Sequence, residues 1–180
     1  MKYLEEMISA IENYNVGNIP VLVKYGADLN YVDPKGNTFL LFAIHKLGGK
    51  VSSILLDEKS TEKQEAALGD IAKKATSLIS TLLENGVNVN YEDLDGCTAL
   101  GLVKYNLHLG MLSFLPSALD GNIGEKQEAM QLVSKIFYDI TAILIAAGAD
   151  ENHTNKFGET PSKYAERIMM DGINNYKMED

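Results

Sequence analysis

The sequence predicts an all-α fold: a short solenoid of helical pairs whose outer helices are longer than usual. Three observations carry this expectation. GADLN at 26–30, GVNVN at 86–90 and GADEN at 148–152 recur 60 and 62 residues apart. Each follows an apolar run (IPVLVKY, SLISTLLEN, ITAILIAA) and precedes a second signal, GNT at 36–38, GCT at 96–98 or GET at 158–160. The pentapeptide EKQEA stands at 62–66 and again at 125–129, at nearly equal distances ahead of the second and third glycine motifs. A long period of this kind marks units that bury their apolar faces against their neighbours.

MKYLEEMISAIENYN predicts a polar-faced first helix that caps one end. IPVLVKY then forms a helix that stops at Gly26, because glycine takes the left-handed backbone that ends helices. Gly86 and Gly148 act alike. The Asn- and Asp-rich residues that follow suit turns, and Thr38, Thr98 and Thr160 are placed to cap the next helices through their hydroxyls. Pro161 fits a first helical position. The inner helices open with LLFAIHKL, ALGLVKYNL and SKYAERI. Gly48-Gly49 is a predicted break in the first, and Pro116 is predicted to end the second. Polar links are expected at 57–61 and 119–124.

The outer helices start at EKQEA. Ala66, Leu68, Ile71, Ala75, Leu78, Ile79 and Leu82 line one, with Gly69 a predicted bend. Ala129, Val133, Ile136, Phe137, Ile140, Ile143 and Leu144 line the other at three-four spacing. Each segment is about 22 residues, roughly 33 Å at the standard rise. Neither long unit holds a second GADxN, which favours two enlarged helical pairs over four ordinary ones. The units are expected at about 1–34, 35–94 and 95–156, with a C-terminal cap at 157–180, all in one domain. The final PSKYAERIMMDGINNYKMED closes the stack with an acidic tail.

YGADLNYVDPKGNTFLLFA, NGVNVNYEDLDGCTALGLV and AGADENHTNKFGETPSKYA resemble the junctions of the ankyrin repeat. That family runs from a glycine-capped helix through GADxN and a hairpin-like loop to G-x-T-P-L-H-x-A. The departures are specific. Leu41, Gly101 and Lys163 stand where the family has histidine, Phe39 and Ala99 where it has proline, and the period is about twice the family's 33 residues. The resemblance implies protein binding on a concave face of loop tips and inner helices. Carried over residue by residue, it selects Val32, Pro34, Lys35, Asn37, His45 and Lys46 at the first junction. The second contributes Glu92, Leu94, Asp95, Cys97, Tyr105 and Asn106, and the third Thr154, Lys156, Phe157, Glu159 and Arg167. Leu94 and Phe157 are the expected anchors, since apolar loop tips have no structural reason to face water. Cys97 is expected to be a partly buried small residue. Tyr31 and Tyr91, at one register, are expected to make structural contacts between units.

Composition narrows the function. With 46% hydrophobic and 23% charged residues the chain is expected to fold. A net charge of −9 disfavours nucleic acid and favours a basic partner. The acidic N-terminus predicts neither a signal nor a transit peptide, and no unbroken apolar run approaches the roughly 20 residues of a membrane span. The chain is therefore expected to be cytoplasmic. The single cysteine excludes an internal disulfide framework. His45, His108 and His153 show no metal-ligand spacing, and phosphate-loop and nucleophile-turn motifs are missing. The expectation is a non-enzyme without cofactor or metal that binds, and so inhibits, another protein: an immunity or antitoxin type facing a basic toxin or nuclease. An effector or host-range protein of an intracellular bacterium or virus is the alternative, and an enzyme of unknown type the third.

Overall fold

A computed structural model of the protein describes residues 2–56 and 61–178. It is all-helical: α1 (Leu4–Glu12), α2 (Asn18–Lys24), α3 (Phe39–Leu56), α4 (Thr61–Glu84), α5 (Ala99–Leu112), α6 (Leu115–Leu119), a 3₁₀ turn at Ile123–Lys126, α7 (Gln127–Ala146) and α8 (Pro161–Met178). Among the described residues there is no strand.

The helices pack as two rows. One runs α1, α3, α5, α8, each against the next; the other runs α2, α4, α7. Within a level α1 packs on α2, α3 on α4, and α5 on α7. The apolar stripes explain this. Leu40, Leu41, Ile44 and Leu47 of α3 meet Leu68, Leu78, Ile79 and Leu82 of α4 in one continuous core. Val133, Phe137, Ile140 and Leu144 of α7 extend it towards Leu100 and Val103 of α5. Full burial of each such side chain is worth about 1.5–3 kcal/mol.

The outer helices end as the glycines require. Gly26, Gly86 and Gly148 have φ of 95°, 91° and 92°. The Ala27 N–H reaches back to the Leu22 carbonyl (2.9 Å), Val87 to Leu82 (3.2 Å) and Ala149 to Leu144 (2.9 Å). This is the Schellman arrangement three times over.

Several local expectations change. α3 runs unbroken through Gly48-Gly49, because Gly48 is a contact point and not a hinge. A Cβ built there would stand 2.6 Å from Cγ of Asn106 on α5. Likewise α4 is continuous through Gly69. Pro116 does not end α5, which stops at Leu112; it sits in the first turn of α6, where its missing N–H has no helical partner to lose. The second EKQEA straddles the 3₁₀ turn, so α7 begins at Gln127, two residues later than expected. Residues 57–60 of the expected polar link, and 179–180 of the acidic tail, lie outside the described residues. By length and composition α3 and α7 would each suffice to cross a membrane. The sequence reading counted only unbroken apolar runs, whereas these helices reach that hydropathy with polar residues scattered among the apolar ones. Here one face of each helix lies in the core.

Candidate functional site

Three loops of one design join each outer helix to the next inner helix. In the first, Asp33 Oδ1 accepts the Lys35 and Asn37 N–H groups, both at 2.8 Å. Asp93 Oδ1 does the same for Asp95 and Cys97, both at 2.8 Å. Asn155 Oδ1 does so for Phe157 and Glu159, both at 3.0 Å. The backbone closes each loop: Asp33, Asp93 and Asn155 donate to the carbonyls of Asn37, Cys97 and Glu159 at 2.9–3.0 Å. Gly36, Gly96 and Gly158 turn the tips with positive φ.

The loops are tied to one another. Asn30 Nδ2 donates to the Gly86 carbonyl at 3.3 Å, and its Oδ1 accepts the Asn88 N–H at 2.7 Å. Asn90 repeats both bonds one level on, to Gly148 (2.9 Å) and from Asp150 (2.9 Å). The tips also touch. Leu94 lies over Gly36, where a Cβ would meet its Cγ at 2.7 Å. The Lys156 N–H donates to the Asp95 carbonyl at 3.0 Å, and Lys156 Nζ to that of Leu94. His153 Nε2 pairs with the Gly96 carbonyl at 3.0 Å.

On this frame the candidate residues divide. Val32, Pro34, Lys35, Glu92, Asp95, Thr154 and Lys156 are exposed along the loop row, and His45 is exposed on α3. Leu94 and Phe157 stand out at 64% and 67% exposure. The contact with Gly36 does not hide Leu94. Six further candidates make contacts within the fold. Asn106 is 8% exposed, its Nδ2 donates to the Leu102 carbonyl at 2.9 Å, and its side chain lies against Gly48 of α3, not in solvent. Lys46 Nζ bonds the Ile11 and Glu12 carbonyls and lies 4.2 Å from the Tyr14 ring, closing the end of α1. Burial lowers its pKa, against the pull of Glu12. Glu159 and Arg167 grip each other at 2.6 and 3.2 Å. Asn37 is half-buried beside Asp33, and Tyr105 stacks on Tyr164 at 5.7 Å.

Thr98 is buried, but its hydroxyl makes no cap bond and has no partner. Thr38 and Thr160 make the expected contacts, at a long 3.4 Å. Cys97 is buried more fully than expected, and burial, then the Asp93 charge, pushes its thiol up to about 11. That describes an inert thiol. Tyr31 and Tyr91 both pack on the core from the loops. Burial pushes the Asp33 carboxyl up, but bonds from the Asn37 backbone and amide and the Lys35 backbone outweigh it and hold it below the usual carboxylate range. The two EKQEA copies meet in space. Glu65 is held above the ordinary range by desolvation first and then by Glu128.

The Asn30–Asn90 ladder escaped the sequence reading. Its signal was the fifth letter of GADLN, GVNVN and GADEN, which is Asn in all three. No protein-family model and no curated protein matches the chain.

Proposed function

We propose that the chain is a divergent ankyrin-like solenoid that acts, without catalysis, by binding another protein along its loop row. The observation that carries this reading is the pair of exposed apolar tips, Leu94 and Phe157, on loops whose backbone is pinned by Asp93 and Asn155. Rigid loops presenting apolar anchors lose little entropy on association, and anchors of this kind carry most of an interface's energy. The two rows of helices and the thrice-repeated loop support the ankyrin-like reading.

A net charge of −9 favours a basic partner. An inhibitor of a basic toxin or nuclease in the cytoplasm fits that charge. The test is capture of a partner from native lysate by wild type and by the Leu94→Ser/Phe157→Ser variant. Loss of capture in the variant, with unchanged unfolding, supports the reading; equal capture refutes the loop-row site. Titration calorimetry of the captured pair should show affinity falling with salt. Affinity independent of salt would remove the electrostatic part alone.

A further inference from the structure

A cleft of about 170 Å³ opens between α1 and the first loop. That is far more than the roughly 10–15 Å³ a single water needs. Leu4, Ile8, Phe39 and Phe42 form its apolar walls, Tyr31 adds an aromatic face, and the acidic residues Glu12 and Asp33 belong to the same lining. Its existence follows from the repeat. At the equivalent junction between the second and third loops, the preceding loop supplies Gly96, Cys97 and Thr98, and only about 10 Å³ remains. No loop among the described residues packs ahead of α1, so the first junction stays open.

We propose that this cleft receives an arginine side chain of the partner protein. The chemistry selects that occupant: an aliphatic stem suits the Leu4–Ile8 wall, and a planar guanidinium stacks on Tyr31 or Phe42 while pairing with a carboxylate. An uncharged apolar side chain would forgo pairing with Glu12, the lining acid on the exposed side of α1; the Asp33 carboxylate is already held by the Lys35 and Asn37 N–H groups and adds its charge from the side. The nearby cations do not fill the role. Lys46 Nζ is bonded to the Ile11 and Glu12 carbonyls, and Lys35 is exposed and does not line the cleft, although its charge reaches Asp33. The proposal deepens the binding-module reading and rests on it for the identity of the arginine's carrier.

The test is NMR titration of the full chain with N-acetyl-arginine amide and with its neutral analogue N-acetyl-citrulline amide. Arginine should shift the resonances of Leu4, Ile8, Tyr31, Phe39 and Phe42, saturating about tenfold earlier than citrulline. Glu12→Gln with Asp33→Asn should bring arginine down to the citrulline level. Asparagine at 33 keeps the loop, since Asn155 makes the same bonds in the third loop. Glu12→Gln alone, on the exposed side of α1, should act in the same direction without touching any loop. Equal affinity for the two ligands, or shifts mapping elsewhere, overturns the proposal. A captured partner with no arginine response sinks the cleft alone, whereas an arginine response with no captured partner sinks the binding-module reading.

Discussion

Two adjacent glycines in α3 should respond to alanine with opposite signs. Gly49 is exposed, with nothing within 4 Å of a built Cβ. Gly49→Ala therefore collects the helix-propensity gain of about 0.8–1 kcal/mol unopposed. Gly48→Ala collects the same gain but drives a methyl to 2.6 Å from Asn106 Cγ, across the α3–α5 contact. Over-packing of this kind costs about 1–3 kcal/mol, and moving Asn106 breaks its 2.9 Å bond to the Leu102 carbonyl. The propensity term cancels between the two variants, so their difference isolates the steric one. Gly49→Ala should exceed Gly48→Ala in urea-unfolding free energy by about 1–3 kcal/mol. At roughly 2–4 °C per kcal/mol for a domain of this size, the melting points separate by about 2–12 °C. Asn106→Ala in the Gly48→Ala background should recover part of the loss by removing the clash. Equal stability of the two single variants, or no recovery in the double variant, would refute the close crossing at Gly48.

Other consequences are as direct. Asn90→Ala should cost about 1–2 kcal/mol by removing two inter-loop bonds, whereas Asn152→Ala, at the same register but with no further level to join among the described residues, should change little in the same melt. At neutral pH Asp33→Ala should cost about 1–2 kcal/mol, and Asp33→Asn, which keeps the loop bonds but loses the charge, a smaller part of that. The folded Asp33 pKa is depressed, so its contribution is present above about pH 4 and lost as pH falls through the lower folded value; Asp33→Asn should flatten that part of the acid-unfolding curve. Glu65 has the opposite sign. Its folded pKa is raised by desolvation and by Glu128, so stability falls as pH rises through that value. Glu65→Gln should stabilise the fold at pH 7 and lose that advantage near pH 3.

The helices and their stops were legible because they follow from local chemistry. Gly26, Gly86 and Gly148 end helices whatever lies around them, and the α7 stripe from Ala129 to Leu144 shows its buried face in its spacing. The misreadings share a cause. Gly48 looks like a break, Asn106 like a surface polar residue and Lys46 like a partner contact, because each is defined by a residue far away in sequence. Gly48 answers to Asn106, Asn106 to α3, and Lys46 to the end of α1. Pro116 misled in another way: the same ring that breaks a helix interior starts a helix well. The cleft beside α1 is a tertiary vacancy, and no residue of its lining marks it in the sequence.

The doubled period and the regular loop row are compatible for a geometric reason. Loops join α2 to α3, α4 to α5 and α7 to α8, so all three lie at one end of the helical pairs. The distance between neighbouring loops is set by how closely helices pack side by side, about 8–10 Å, and by the Asn30 and Asn90 bonds that bridge adjacent levels. Helix length does not enter. The 24 residues of α4 and 20 of α7 run roughly 36 and 30 Å, and the extra turns project away from the loops. So do α6 and the 3₁₀ turn, which lie between α5 and α7 at the opposite end. A chain can lengthen every helix and still hold Leu94 and Phe157 one level apart. The sequence period measures path length through a unit, while the pitch of the loop row is fixed by helix packing and two asparagines.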